Sequence, residues 1–431
     1  MVKHFAYSLG GPYVAREGCD DKQELVQLRA ENDALHMALN TCKNQISRYY
    51  HNRKWDNFKK FTNEYELVCT SSSEFPGIAS HVPVSRSFFK MWEILHDHAS
   101  DMLIPNDTMC AVFLAEGPGG FMESFAKFRA DTGRDGDSLH GMTLISKHKS
   151  IPNWKINALR LTPNTRVRIH RGADGTGDLY NIKNVDCLVT EVGEASSDLV
   201  TADGGFDFSH DFNNQEEVSM RLVLAEVYTA LRLQRKGGSL VLKVYDIHAC
   251  ATVRMLFALR QSYKNMSIVK PHTSRPANSE KYIVCTRFCG VAEGLLKLLR
   301  AAYVAGGSSR AVERYMPIAP ASFLRDVVHY NAFYVARQVC YIGRTIAFIR
   351  DSETGGSCDN SGRIRRQLCK SIRWCHRYGI STSMDALLKY RPIVTSLELL
   401  PCPLAPSDQR NASLGDRTRP SRPHPESPHE H

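Results

Sequence analysis

Short β-rich runs alternate with helical patterns between residues 110 and 290, and this alternation limits the possible folds more than any other feature of the chain. The strand-like runs are CAVFLAEG, LHGMTLIS, VDCLVTEV, GGSLVLKVYD and KYIVCTRF, separated by helical patterns such as FMESFAKF and a long helix near 215–235. Strands that alternate with helices pack as a mainly parallel sheet with helices on both faces. The sequence therefore predicts a doubly wound α/β fold whose sheet closes with a hairpin-like pair of strands.

A heptad pattern precedes this α/β region. Apolar residues at alternating spacings of three and four, with an asparagine at one a position, form the seam Leu25, Leu28, Asn32, Leu35, Leu39, Cys42 and Ile46. Two interpretations stay open: a helix that packs on its own domain, or a coiled coil that joins a second copy or a partner protein.

The remaining segments complete a prediction of four regions. A helical extension covers 1–79, the α/β domain covers 80–290, and a second helical region covers 291–400. The tail over 401–431 holds seven prolines among polar residues, so we expect it to be disordered.

Composition excludes several classes of protein. The chain has 431 residues, 42% of them hydrophobic, which excludes a fibrous or wholly disordered protein. Its 13 cysteines contain no CxxC pair, so we expect neither a disulfide framework nor a metal site. Free cysteines of this kind are typical of a reducing compartment. No apolar run reaches the roughly 18 residues that span a bilayer, so we expect an intracellular protein without a membrane partner. Its location would be the nucleus or cytoplasm, or the virion if the source is a virus. The net charge of +10 favours a polyanionic partner.

The segment AEGPGGF, residues 115–121, lies between a strand-like run and a helix. Backbone amides at a helix N-terminus bind anions, and Glu116 would bind an ammonium group, so the turn suits a zwitterionic amino-acid moiety such as that of S-adenosylmethionine. The alternative is an ordinary strand-to-helix turn, since glycine and proline are common in turns.

Two charged residues are predicted at the carboxyl ends of strands. Lys243 interrupts the apolar run LVLKVYD, where an unpaired buried charge is costly, so it either extends its stem toward water or has a function. Asp203 in TADGGFD is either a turn former or a site carboxylate. Open α/β sheets bind ligands at this edge, which favours the functional interpretation of both.

Six segments occur in the order found in FtsJ-like ribose 2′-O-methyltransferases: LAEGPGGF, GMTL, DGTGD, TADGGFD, LVLKVYD and TSRPANSEKYIVC. The chain resembles this family over about residues 80–290. The last segment resembles the Adrift-type branch, which contains the messenger-RNA cap methyltransferases of eukaryotes and large DNA viruses. The resemblance implies a Rossmann-like sheet, S-adenosylmethionine as cofactor, capped mRNA as partner and no metal.

The family's Lys-Asp-Lys-Glu tetrad matches Lys90, Asp203, Lys243 and Glu280. The resemblance implies that Lys243 accepts the proton of a ribose 2′-hydroxyl, and we expect burial and the charge of Lys90 to lower its pKa. Asp203 and Glu280 would then orient the two amines.

The resemblance also implies binding residues. Those for the cofactor are Glu116, Gly117, Pro118, Gly119, Gly120 and Phe121 at the methionine end and Asp178 at the adenine amino group. Lys147 and Lys149 would meet RNA phosphates or simply form a solvated surface. Arg275 and Asn278 would shape the turn before Glu280 or meet RNA.

Three alternatives remain open at this point. The substrate is capped mRNA or, less in keeping with the SRPANSE segment, ribosomal or transfer RNA. A non-catalytic RNA-binding or scaffold subunit would keep the same fold, although the intact tetrad favours an enzyme. The aromatic residues Tyr315, Tyr330, Tyr334, Trp374 and Tyr378 would stack on a cap or belong to the core.

Overall fold

The computed structural model describes residues 5–8, 19–50, 53–70, 72, 74–103, 108–148, 151–208, 211–354 and 360–393, with side chains described from residue 22 onward. A mixed sheet lies at the centre of this part of the chain. Its strands are β1 (Phe5–Ser8), β2 (Cys110–Leu114), β3 (Ser138–Met142), β4 (Arg166–Ile169), β5 (Ser197–Ala202), β6 (Gln234–Val244), β7 (Tyr263–Lys270) and β8 (Lys281–Phe288).

The sheet order is β1-β7-β8-β6-β5-β2-β3-β4. Strands β2 to β6 pair in parallel, whereas β8 lies between β6 and β7 and is antiparallel to both. The predicted hairpin-like closure of a mainly parallel sheet is therefore confirmed. Strand β1 adds an antiparallel edge beside β7.

Helices cover both faces of the sheet, and further helices precede and follow the α/β region in the chain. They are α1 (Cys19–Asn44), α2 (Ser47–Tyr50), α3 (Lys54–Thr62), α4 (Ser87–Met102), α5 (Gly120–Asp131), α6 (Ile182–Val192), α7 (Gln215–Leu233), α8 (Cys250–Ser262), α9 (Glu293–Val304), α10 (Ser309–Tyr315), α11 (Ala321–Glu353), α12 (Ser361–Arg377) and α13 (Met384–Lys389). Among the described residues, no helix combines the length and apolar character needed to cross a bilayer.

Two apolar cores lie on opposite faces of the sheet. Successive residues of a strand point to opposite faces, so Phe113 of β2 packs with α4 and α5, while its neighbours Val112 and Leu114 pack on the side of α6, α7 and α8. The predicted doubly wound α/β architecture is confirmed by this arrangement.

The segment VDCLVTEV, residues 185–192, corrects one predicted strand. It belongs to helix α6, whose N-cap Asn181 accepts a hydrogen bond from the Lys183 backbone. Its buried residues Val185, Leu188 and Val189 follow a helical spacing, which its β-branched composition obscured. The strand of this unit is β5, about a dozen residues further on.

The heptad seam of α1 packs within its own chain. Leu39, Cys42 and Ile46 form a buried cluster with Ile342 and other residues of α11. Asn32 is buried as well. Of the two interpretations of the heptads, the structure supports the helix that packs on its own domain, because α11 occupies the seam that a coiled-coil partner would need.

The chain up to Ile393 forms one compact unit. The predicted boundaries near 79 and 290 separate segments of this unit, and they stay predictions as limits of independent domains. The tail over 401–431 lies outside the described residues.

Candidate active site

The glycine-rich turn after β2 leads directly into the N-terminus of helix α5, where a ligand could bind. Ala115 has a φ of 54° and Gly119 a φ of 113°, so the chain turns sharply between β2 and α5. No side chain caps the first turn of α5, which leaves its backbone amides available to an anion. A side chain at Gly117 would place its Cβ 2.0 Å from the Pro152 carbonyl oxygen, so glycine is required there.

Glu116 lies buried beside this turn. The Thr201 hydroxyl donates a hydrogen bond to one carboxylate oxygen, while Oε2 has no hydrogen-bond partner among the described residues. Burial raises the pKa of Glu116 well above its usual range, with the nearby Asp203 and Glu226 acting in the same direction. A bound ammonium group would pair with the unpartnered oxygen, so this carboxyl fits the amino-acid end of S-adenosylmethionine.

The four tetrad residues come together at the carboxyl edge of the sheet. Lys90 lies in the first turn of α4, and its Nζ is 2.8 Å from the Glu280 carboxylate. Lys243, in β6, has its Nζ 3.1 Å from Oδ1 of Asp203. Because Glu280 directly precedes β8, which pairs with β6, the two ion pairs are neighbours and act on each other electrostatically.

The charge state of Lys243 corrects the sequence-based expectation. Burial lowers the pKa of this amine, but Asp203, Tyr245 and Glu280 raise it by more, so its pKa lies above that of an ordinary lysine. Burial raises the pKa of Glu280, whereas Lys90, Lys243 and Lys270 outweigh that effect and hold it well below the usual range. These shifts favour the ammonium form of Lys243 and the carboxylate form of Glu280, so Lys243 would have to lose a proton before it could act as a base.

Sequence reasoning missed two residues near Asp203, namely Tyr282 and Glu226. The Tyr282 hydroxyl donates a hydrogen bond to Asp203 Oδ1 at 2.9 Å. Glu226 of α7 lies beneath Gly204, where a Cβ would come within 2.3 Å of its Oε1, and burial raises the pKa of Glu226 to about 8. Only Tyr282 carried a signal in the sequence, because it lies in the segment TSRPANSEKYIVC close to Glu280; the structure pairs it with Lys243 of β6.

Lys270 at the end of β7 was missed too. Its Nζ donates hydrogen bonds to the carbonyl oxygens of Asn278, at 2.8 Å, and Glu280, at 2.6 Å, and to the Asn278 side chain. Burial lowers the pKa of Lys270 well below its usual range. This amine fixes the turn that presents Glu280, and Asn278 takes part as a turn residue.

Arg275 is occupied on the opposite side of the same turn. Its guanidinium donates two hydrogen bonds to Glu66, at 2.6 and 2.9 Å, and so ties the turn to the short 3₁₀ helix Glu66–Val68. For both Arg275 and Asn278, these contacts support the turn-shaping role. Contact with RNA stays a prediction.

The other predicted binding residues are placed as follows. Asp178 is half-buried in the loop before α6, and its Oδ1 accepts a hydrogen bond from the Tyr180 backbone at 2.8 Å. Lys147 is exposed in the loop after β3, and Lys149 lies outside the described residues. Four of the five aromatic residues considered for cap stacking are buried core residues, namely Tyr330, Tyr334, Trp374 and Tyr378, and Tyr315 packs partly buried against the core.

The structure thus combines a doubly wound sheet, a glycine-rich turn before α5 and a Lys-Asp-Lys-Glu cluster at the carboxyl edge of the sheet. Residues 83–288 match the family described as FtsJ-like methyltransferase. The chain therefore contains an FtsJ-like methyltransferase domain, which spans slightly less than half of its length.

Relatives of known name match a similar region. Cap-specific mRNA (nucleoside-2′-O-)-methyltransferase 1 of Leishmania braziliensis is 38% identical over 176 residues, which cover 40% of this chain and 43% of the relative. Cap-specific mRNA (nucleoside-2′-O-)-methyltransferase 1A of Caenorhabditis briggsae is 28% identical over 269 residues, covering 59% of this chain and 30% of the relative. The protein named inactive cap-specific mRNA (nucleoside-2′-O-)-methyltransferase 1B of the same nematode is 26% identical over 269 residues, covering 59% and 31%. The chain thus spans less than half the length of each of these relatives.

Proposed function

We propose that this protein is an S-adenosylmethionine-dependent RNA ribose 2′-O-methyltransferase that acts on the cap-proximal part of mRNA. The observation that carries the proposal is the meeting of Lys90, Asp203, Lys243 and Glu280, which are far apart in sequence, as two adjacent ion pairs at the edge where such sheets bind ligands. The names of the relatives support capped mRNA as the substrate.

The cofactor would be held at both ends by the residues predicted for it. Glu116 would pair with the ammonium group, the amides at the start of α5 would bind the carboxylate, and Asp178 would accept a hydrogen bond from the adenine amino group. When bound, S-adenosylmethionine supplies a methyl group on a cationic sulfur.

Lys243 is the proposed general base. A neutral amine at this position would take the proton from the ribose 2′-hydroxyl as that oxygen attacks the methyl carbon. A further positive charge bound at this edge favours loss of the Lys243 proton, because like charges a few ångströms apart disfavour the ammonium form. Lys90, Asp203 and Glu280 would hold the amine in line, so that much of the acceleration comes from alignment.

The experiment compares methyl transfer from a methyl-labelled cofactor to capped and uncapped RNAs of the same sequence, followed by nuclease mapping of the labelled ribose. We expect transfer to a cap-proximal 2′-oxygen of the capped RNA. Lys243→Ala should reduce the rate by at least about 100-fold while calorimetry shows unchanged cofactor binding. Lys264→Ala, which removes an exposed lysine of β7, is the matched control.

The other outcomes decide among the alternatives. Equal or faster transfer to ribosomal or transfer RNA fragments would move the substrate out of the mRNA class. Failure of the wild-type protein to methylate any RNA while it binds cofactor and RNA would favour a non-catalytic subunit, the condition that the name of one nematode relative states for that protein.

A further inference from the structure

A buried ion pair joins helix α1 to the segment that follows β6, the strand that carries Lys243. Lys43, in the last turn of α1, donates a hydrogen bond from Nζ to Asp246 Oδ2 at 2.6 Å, and both side chains are only 2% exposed. Asp246 lies three residues after Lys243 on the same run of chain. A fully buried charge needs a partner, so Lys43 and Asp246 depend on each other.

Asp246 also binds the segment that carries Glu280. The Ser279 hydroxyl donates to Asp246 Oδ2 at 3.0 Å, and Lys281 Nζ lies 3.4 Å from Oδ1. Lys281 Nζ donates further to the carbonyl oxygens of Tyr245 and Ser279, each at 3.0 Å. One carboxylate therefore fixes the position of the segment after Lys243 relative to the two residues that flank Glu280.

Asn32, the polar residue of the heptad seam, makes a second connection to the same segment. Its amide donates to the His248 carbonyl oxygen at 2.7 Å, and its Oδ1 accepts from Asn331 of α11 at 2.8 Å. Asn331 also donates to the Ile247 carbonyl oxygen at 3.0 Å. In the same way Gln338 of α11 donates to Ser279 Oγ, at 3.1 Å.

We propose that Lys43, with Asn32, is a positioning residue for the tetrad: the α1 helix sets the distance between Lys243 and Glu280 by holding Asp246. This inference rests on the proposed methyltransferase activity. It explains why α1, whose apolar seam packs on α11, also keeps Asn32 and Lys43 buried, where apolar residues would pack without a desolvation cost.

The test compares Lys43→Met with Lys54→Met. Lys54 of α3 forms an ion pair of the same 2.6 Å length with Glu353 of α11, but its two side chains are 38% and 40% exposed. We expect Lys43→Met to lower kcat at least about tenfold with the Kd for S-adenosylmethionine changed less than about threefold, and Lys54→Met to leave both values unchanged. Equal kcat in the two variants would overturn the proposal.

The double variant Lys43→Met/Asp246→Asn separates positioning from folding. It removes the charges of Lys43 and Asp246 and leaves Lys281 with its two carbonyl acceptors, so its thermal unfolding temperature should lie closer to the wild-type value than that of Lys43→Met while kcat stays low. If kcat instead recovers together with the unfolding temperature, Lys43 contributes to stability alone.

Amide hydrogen exchange tests the positioning role without depending on catalysis, and so separately from the proposed function. Amide hydrogen exchange over 273–281 should be faster in Lys43→Met than in Lys54→Met, whatever the wild-type protein methylates. Unchanged exchange there would contradict the positioning role, whereas wild-type inactivity on every RNA would contradict the proposed function.

Discussion

At the scale of single residues, the proposed chemistry depends on the Lys243 amine, which lies among carboxyl groups. Burial alone lowers the pKa of a lysine. Lys243, however, is 3.1 Å from Asp203 and close to Glu280, and the attraction of these carboxylates outweighs burial, so its pKa is raised. The neutral form that a general base needs is therefore a minor form at neutral pH. It becomes more abundant as pH rises or as a neighbouring negative charge is removed.

The pH dependence of the rate tests this account. Because the pKa of Lys243 is raised, we expect log kcat of the wild-type protein to rise with pH from about 6 to about 9 without a plateau. Asp203→Asn removes a carboxylate that raises this pKa, so the rise should shift to lower pH in the variant although its maximum rate is lower. The measurement is kcat against pH at saturating cofactor and RNA. A rise at the same pH in both proteins would contradict the assignment of Lys243 as the base.

The sequence made three of the four tetrad residues visible because Asp203, Lys243 and Glu280 each lie in a short recognisable segment. It did not reveal the sign of the Lys243 shift, since that sign depends on contacts with residues far away in the chain. Nor did it reveal Asp246 as an organising carboxylate, because its partner Lys43 lies 203 residues earlier. Glu226 was hidden for a similar reason, since a carboxylate in a helix is ordinarily exposed.

At the scale of elements, the turn before β8 is held from two sides. Lys270 binds its backbone from within the sheet, and Arg275 binds Glu66 of the preceding extension. Burial raises the pKa of Glu66, but its hydrogen bond with Arg275 and the charge of Arg86 lower it by more, so the carboxylate stays ionised. The turn keeps its shape because charged groups on both sides are already paired.

Arg275→Ala tests whether this contact is structural. Glu66 would keep Arg86 but lose its bidentate partner, so we expect a loss of about 2 kcal/mol in unfolding free energy at pH 7. Because the folded-state pKa of Glu66 is lowered, its contribution is present above the unfolded-state pKa and disappears as pH falls through the folded-state pKa. The difference from wild type should therefore shrink on acidification in urea unfolding experiments.

Arg377→Ala serves as the control, since its guanidinium pairs with Asp97 at 3.2 Å away from the turn. Weaker binding of short RNAs by Arg275→Ala, with stability unchanged, would instead establish the RNA contact predicted from the sequence.

The predicted alternation of strands and helices was correct, but one predicted strand, VDCLVTEV, is part of helix α6. Apolar β-branched residues in VDCLVTEV resemble a strand, yet Val185, Leu188 and Val189 all face the core from one side of α6. Short apolar runs fit both periodicities, and only the position of Asn181 as an N-cap separates them.

At the scale of the whole molecule, residues of both extensions contact the segments next to the tetrad. Helix α1 supplies Lys43, the 3₁₀ segment supplies Glu66, and α11 supplies Gln338, and all three bind segments next to tetrad residues. These contacts cross the boundaries predicted near 79 and 290, which stay predictions as limits of independent domains. Composition could not show this, because these contacts are made by single polar residues on otherwise ordinary amphipathic helices.

The last prediction concerns the tail beyond these contacts. Deleting residues 396–431 should leave capped-RNA methylation within about twofold of the full chain, because a polar, proline-rich segment without Phe, Trp or Tyr from 401 onward offers no stacking surface for a base.

A truncated chain of residues 80–290 is the contrast. We expect it to lose activity because it lacks Lys43, Glu66 and Gln338. Both truncations are assayed on the same capped RNA, with circular dichroism to measure folding. Lost activity in the tail deletion with an unchanged spectrum would place the tail in the substrate site. Full activity of 80–290 would show that the extensions are dispensable for positioning the tetrad.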